Sequence, residues 1–334
     1  MMKIRRTVLL GAMLAAATTF AATPAFAADK IAVVVKSLGN GFFDAVNQGA
    51  QDAAKEIGGY EIIYTGPAKS TAEGQIEIIN TLIAQNVKAI VISANDPDAL
   101  VPVLKKAMAR GIKVISFDSG VKKEGRLMHL APSSTELIGQ KLVSMAEDAG
   151  GKNAEIAVLS ATAQATNQNE WIAVMKKVMA QPEHKGLKLD AVVYGDDQID
   201  KSYREAQGLF KSYPNLKVIV APTTIGIAAG AKAVQDEKKV GQVFVTGLGL
   251  PSEMAGHVHS KAVKSFAIWN PIDLGYSSIY AVDAFIKGKA KGTPGEKIAL
   301  GKVGSTTLDA DLTGAMAEPF DYNESNVDKF AKIF

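Results

Sequence analysis

Residues 89–119 read AIVISANDPDALVPVLKKAMARGIKVISFDS, and this stretch decides the fold. Ala89 to Ile92 is a short run, apolar at every position. Leu100 to Arg110 follows with helical spacing. Gly111 then stands where a helix end favours a left-handed residue. Val114 to Phe117 is a second apolar run. A half-exposed strand alternates apolar with polar residues; a continuous apolar run is covered on both faces. Such runs alternating with helices predict a parallel sheet with helices on both sides.

The same unit extends in both directions along the chain. Upstream, Ile31 to Val35 and Glu61 to Tyr64 read as strands. Phe42 to Ile57 and Glu73 to Gln85 read as helices between them. After a connector around Leu130 to Ser133 the rhythm restarts. Strands are expected at Glu155–Leu159, Leu187–Val193, Val218–Val220, Val243–Thr246 and Val263–Trp269. Helices are expected at Thr135–Ala149, Asn169–Met179, Lys201–Ser212, Ala228–Asp236, Pro251–Ser260 and Leu274–Lys287. From Gly292 onward the chain reads as extended strands and loops passing between domains. The expected fold class is therefore α/β, with two Rossmann-like lobes of similar size.

The first residues address the compartment. Lys3, Arg5 and Arg6 precede an apolar stretch from Val8 through Phe20, and Ala25-Phe26-Ala27 comes next. This is the layout of a secretory signal peptide, with cleavage expected after Ala27. The apolar run is shorter than the roughly 20 residues that span a bilayer. Arg5-Arg6 alone does not establish the twin-arginine route. The three cations account for the whole excess of 37 Lys and Arg over 34 Asp and Glu. The mature chain is then near neutral, which disfavours nucleic acid or an anionic membrane as partner. There is no cysteine, which excludes thiolate catalysis and disulfides.

Open parallel sheets bind ligands beyond the carboxyl ends of their strands. Those positions hold Lys36 through Asp44, Ser93 to Pro97, Asp118 and Ser119 in the first array. In the second they hold Ser160, Thr166 to Asn169, Ala221 to Thr224, Gly247 to Gly249, and Asn270. The set is amides, hydroxyls, a lysine, a few acids and aromatic rings. A sugar needs this chemistry, because each hydroxyl both donates and accepts. Aromatic faces cover the C–H patches of a pyranose, and Phe42, Phe43 and Trp269 are the candidates. Each residue has a plainer alternative. One of Phe42 and Phe43 can belong to the core. Asp118 can be a cap, and Lys36 a solvated surface lysine. Asn270 can begin the next helix as its N-cap.

Signals for catalysis are weak. Gly247-Leu248-Gly249 and Gly39-Asn40-Gly41 both lack the third glycine of a dinucleotide loop. Neither a phosphate loop nor a nucleophile elbow occurs. His129, His184, His257 and His259 suggest no metal site. No cofactor is expected. A glycoside hydrolase would need two carboxylates across the cleft. Asp118 has no obvious partner among the strand ends of the second array, so the chain is read as a binding protein rather than an enzyme.

Four segments carry a resemblance: IAVVVKSLGNGFFDAVNQGA (31–50), the stretch 89–119, ATNQNEW (165–171) and IVAPTT (219–224). With them the chain resembles periplasmic sugar-binding proteins of the ribose/galactose type, over essentially its mature length. Within that family it is most similar to rhamnose-binding components of ABC importers and to related autoinducer-2-binding proteins. The resemblance implies the type I periplasmic binding fold, two lobes joined by a multi-stranded hinge of three crossings. It implies ligand contacts at Lys36, Asp118, Asn167 and Gln168. Pro222 and Thr224 match main-chain contacts of the autoinducer-2 branch. Phe43 and Asn270 match an aromatic platform and an amide of the sugar branch.

Departures narrow the ligand. Autoinducer-2 receptors typically have an aspartate at Asn167 and an alanine at Thr224. Ribose binders usually have an aspartate where this chain has Gly247-Leu248-Gly249. The resulting expectation is a monomeric periplasmic protein that captures L-rhamnose for an inner-membrane ABC permease. The site residues are Lys36, Asn40, Phe42, Phe43, Asp118, Asn167, Gln168, Pro222, Thr224, Trp269 and Asn270. An autoinducer-2 receptor, or a binder of another pentose or hexose, is the alternative. The expected division is 1–27 signal peptide, 28–131 plus about 265–292 first lobe, and 132–264 plus about 293–334 second lobe.

Overall fold

The computed structural model describes residues 28–334; the expected signal peptide lies outside the described residues. The first lobe begins with β1 (Asp29–Val34), α1 (Gly41–Ile57), β2 (Tyr60–Thr65), α2 (Ala72–Ala84) and β3 (Ala89–Ile92). It continues with α3 (Val101–Ala109), β4 (Lys113–Phe117) and β5 (His129–Ala131). All four residues of β3 are buried, as are the last four of β1. Gly111 takes φ +84° at the end of α3, the conformation expected of it.

The second lobe runs α4 (Thr135–Gly150), β6 (Glu155–Ser160), α5 (Thr166–Met179), β7 (Lys188–Tyr194) and α6 (Ile199–Ser212). Then come β8 (Leu216–Ala221), α7 (Thr224–Asp236), β9 (Phe244–Gly247), α8 (Pro251–His259) and β10 (Ser265–Ile268). The chain ends with α9 (Pro271–Ile286), β11 (Lys297–Ala299), β12 (Ser305–Thr307), β13 (Thr313–Ala315), β14 (Phe320–Asn323) and α10 (Val327–Phe330).

The first sheet has the order β13-β5-β4-β3-β1-β2, and the second β7-β6-β8-β9, with parallel pairing throughout. In each sheet the strand order reverses beside the lobe's first strand, β1 or β6. That reversal opens a crevice at the carboxyl ends of the strands. Helices cover both faces, so the sequence-based reading of parallel sheets holds.

The pairing corrects the expected boundaries. Those boundaries place Ser265–Ile268 in the first lobe, but β10 pairs antiparallel with β14, and its Ala267 bridges Leu248, the residue after β9. They place residues 297–315 in the second lobe, but β13 joins β5 in the first sheet and β11 packs on α9. Local patterning could not show this, because three-residue strands carry no periodic signal. The chain thus crosses between lobes after β5, after β10 and after β13. The third crossing is tied to the first: Met316 N donates to Ala131 O at 2.9 Å, and Ala317 N to Pro132 O at 3.1 Å.

Helix α9 returns the chain to the first lobe and packs on α1. Two glycines make that approach possible. A Cβ on Gly49 would lie 1.8 Å from Ile272 O, and one on Gly275 would lie 1.9 Å from Val46 O. Only a residue without a side chain lets the two backbones come so close.

Candidate functional site

Helices α1, α5 and α7 all present their first turns to the crevice between the lobes. Asn40 caps α1, its Oδ1 accepting from Phe42 N at 3.0 Å. The same Oδ1 accepts from Thr224 Oγ1 of the second lobe at 3.3 Å. Helix α5 starts at Thr166, three residues earlier than expected, which brings Asn167 and Gln168 into its first turn. Helix α7 starts at Thr224 rather than Ala228, directly after Pro222 and Thr223.

A chain of polar contacts forms the floor. Lys36 and Asp118, 4% and 5% exposed, lie on the first lobe. Lys36 Nζ is 4.0 Å from Asp118 Oδ2. It also donates to Asn167 Oδ1 at 3.3 Å, across the cleft. Asn167 Nδ2 donates to Asp118 Oδ1 at 2.9 Å. Ser93 Oγ donates to Asp118 Oδ2 at 2.7 Å. A buried carboxylate persists only with such partners. Burial pushes the Asp118 carboxyl above its usual range, while Lys36, Ser93 and Asn167 pull it back. Gln168 Oε1 accepts from Ser160 Oγ at 2.7 Å and Ala161 N at 2.8 Å.

The opposite wall is aromatic. Trp269 meets Phe42 edge-on at 6.1 Å between centroids and Trp171 at 5.8 Å. Phe43 meets Phe42 at 5.2 Å, also edge-on. Trp269 is 3% exposed, and its Nε1 has no hydrogen-bond partner among the described residues.

Lys36, Asn40, Phe42, Phe43, Asp118, Asn167, Gln168, Pro222, Thr224 and Trp269 all line this one cleft. Asn270 does not. Its Oδ1 accepts from Ile272 N at 3.0 Å and its Nδ2 donates to Asp273 Oδ2 at 2.9 Å, so it caps α9. The plainer alternative for Asn270, an N-cap, is thus what the structure shows.

Sequence reasoning missed Trp171, Asp197 and Ile268, which line the same cleft, as do Thr223 and Leu248 from the strand-end segments. Trp171 lies four residues after Asn167 on one face of α5, a spacing readable once the helix start is known. Asp197 lies just beyond β7, whose carboxyl end is absent from the strand-end residues considered above. Its position corrects the expectation that Asp118 faces no acid of the second lobe. Thr223 Oγ1 donates to Asp197 Oδ1. Burial pushes the Asp197 carboxyl up, and Lys36 and Thr223 pull it down.

Gly247 closes β9 in a conformation that only glycine takes readily. It takes φ +138°, and a Cβ there would lie 1.9 Å from Ala221 O. The backbone excludes a side chain at Gly247 itself, and the next residue, Leu248, lines the cleft.

This two-lobed architecture and its cleft have counterparts among known proteins. A family profile described as "Periplasmic binding protein domain" matches residues 31–290. The chain belongs to the periplasmic binding protein family.

This periplasmic binding protein is similar to an ABC transporter solute-binding protein from Clostridium phytofermentas, solved with bound L-rhamnose. The two are 37% identical, with a TM-score of 0.89, over 92% of this chain and 99% of the other. The D-ribose/D-allose-binding protein of Pseudomonas aeruginosa is 29% identical over 65% of this chain and 70% of its own length. LsrB from Clostridium saccharobutylicum, solved with AI-2, has a TM-score of 0.84 and 21% identity, over 90% of this chain and 99% of its own. That likeness is one of fold. Fold and family are those of solute-binding transport components, not of enzymes.

Proposed function

We propose that this periplasmic binding protein captures L-rhamnose between its lobes and delivers it, as a monomer, to the permease of an ABC importer. The coarser reading, the sugar-binding component of an ABC importer, rests on the family and on relatives that bind sugars. One observation carries the choice of sugar. The 37%-identical relative with bound L-rhamnose shares the fold over nearly its whole length. The cleft supports it chemically. Lys36, Asp118, Asn167 and Gln168 offer donors and acceptors to ring hydroxyls, the charged ones strongly. Phe42, Phe43, Trp171 and Trp269 supply aromatic surface for a sugar face. Leu248 and Ile268 give a dry contact suited to the methyl group of a 6-deoxy sugar. Capture would proceed by hinge closure at the three crossings. Export through residues 1–27, with cleavage after Ala27, completes the proposal.

An autoinducer-2 receptor is the second reading, favoured by the presence of Lys36, Asp118, Gln168 and Pro222 in one cleft. Against it stand Asn167 in place of an aspartate and Thr224 in place of an alanine. Titration calorimetry with L-rhamnose, D-ribose, D-allose, D-arabinose and autoinducer-2 tests both. The expected result is saturable one-to-one heat with L-rhamnose. No heat with L-rhamnose, beside clear binding of another ligand, would overturn the choice of sugar.

A further inference from the structure

The cleft holds more acid than base. Among its described lining residues Lys36 is the one cation, while Asp118 and Asp197 are both acidic. Lys36 is already engaged, facing Asp118 and donating to Asn167. Asp118 is surrounded by donors, but Asp197 is not. Its Oδ1 accepts from Thr223, and its Oδ2 has no hydrogen bond among the described residues.

Asp197 also lines a second groove at the outer mouth of the cleft. That groove runs between Leu38 and Asn40 of the first lobe and Gln198 and Asp200 of the second. None of its described lining residues is Lys, Arg or His. The neighbouring Lys201 is paired with Asp196 at 2.6 Å. Asp196 and Asp197 take φ +55° and +50°, so a left-handed turn after β7 sets the carboxyl at this edge. Aspartate tolerates that conformation better than most residues.

Helix N-termini favour negative charge. The first turns of α1, α5 and α7 would by themselves make the cleft a good anion site. Two resident carboxylates now fill that electrostatic role, and a third negative group entering would meet like charge in a partly desolvated space.

We propose that Asp197 makes the cleft selective for uncharged polyhydroxylated ligands, excluding sugar acids and sugar phosphates. Its free Oδ2 accepts from a hydroxyl, whereas a carboxylate or phosphate finds no unshared cation. Discrimination by like charge is a general device of specific sites. The proposal deepens the reading of the cleft as a sugar site and rests on it.

The test compares L-rhamnose with L-rhamnonate, its aldonic acid, by titration calorimetry on the full mature chain and on Asp197→Asn. Asparagine keeps an acceptor for Thr223 and removes the charge. Wild type is expected to bind L-rhamnose and to give no heat with L-rhamnonate. Asp197→Asn is expected to narrow the ratio of the two affinities by at least about tenfold, while still binding L-rhamnose. Retained sugar binding also certifies the fold. An unchanged ratio, equal binding of both compounds by wild type, or loss of sugar binding by a folded Asp197→Asn with no gain for the acid would overturn the proposal. If Asp197→Asn does not fold, Asp200→Asn at the mouth decides, with a gain of about threefold for the acid expected. If wild type binds another neutral sugar instead, the choice of L-rhamnose fails, and that sugar with its own aldonate tests the charge selection.

Discussion

Asn167 of the second lobe donates its side-chain amide to Asp118 of the first, Nδ2 to Oδ1 at 2.9 Å. The bond joins the first turn of α5 to the end of β4 across the cleft. Neither residue is close to the other in sequence, yet both lie where a parallel sheet exposes ligand-binding groups. The same Asn167 accepts from Lys36 at 3.3 Å, so one amide reads both charges of the floor.

Removing Asp118 therefore strips the floor of its central acceptor. Asp118→Ala is expected to weaken ligand binding by about 100-fold or more, two charge-assisted hydrogen bonds being worth about 3 kcal/mol together. The variant is also expected to lose some stability, because Lys36 stays buried without its charged partner, while relief of the desolvated carboxyl offsets part of that cost. Calorimetry beside thermal unfolding checks both halves. Wild-type affinity in a folded Asp118→Ala would place the site elsewhere.

Both tryptophans of the chain line the cleft. Ligand entering between Trp269 and the polar floor is expected to change tryptophan emission in a saturable way. Trp269→Phe should remove most of that change and weaken binding by about tenfold, through lost stacking area and the lost indole N–H. A titration with unaltered emission, at ligand concentrations that calorimetry shows to be saturating, would contradict the placement of the aromatic wall.

Glu253 on α8 packs against the start of α1, where a Cβ on Gly41 would lie 2.9 Å from its Oε1. Its Oε2 is buried without a partner, and burial raises its pKa to about 7. A carboxyl raised on folding binds its proton more tightly in the folded state. Its contribution to stability is thus most favourable at low pH and declines as pH rises from about 4.5 to about 7. Glu253→Gln does not titrate. Its stability relative to wild type should improve by about 2 kcal/mol between pH 5 and pH 8. Denaturant unfolding at the two pH values reads this directly; a difference that stays constant with pH would show that Glu253 is not desolvated.

Gly247→Asp would place a side chain where the backbone leaves no room for one. It is expected to destabilise the protein by about 3 kcal/mol or more, since φ +138° is open essentially to glycine and the Cβ meets Ala221 O. Thermal unfolding measures it. Wild-type stability of Gly247→Asp would show that the backbone at Gly247 relaxes freely.

Much of the site was legible in the sequence because parallel sheets concentrate function at strand ends. Lys36, Asp118, Asn167 and Gln168 stand at or shortly after the carboxyl end of an apolar run, where such a sheet places its ligand contacts. Trp171 and Asp197 escaped for separate reasons. The first lies one helical turn beyond a helix start that periodicity placed three residues too late. The second lies in a turn beyond the edge strand β7, whose end carries no obvious ligand signal. An asparagine before Pro271 suits a ligand and a helix cap equally well, and the bonds of Asn270 to Ile272 and Asp273, which no local pattern fixes, make it a cap. The boundaries failed after Gly292, where strands of three residues carry too few side chains for periodicity to register.

The sequence by itself determined the alternation of strands and helices, the two lobes and the chemical character of the cleft. These arise from local apolar periodicity and from which residues end each strand. Only the tertiary structure decided which residues meet. The antiparallel pairing of β10 with β14, the seating of α9 on α1 through Gly49 and Gly275, and the gathering of Lys36, Asp118 and Asp197 in one cleft depend on contacts between distant segments. Such contacts are set by packing and by the satisfaction of buried polar groups, which no local pattern encodes.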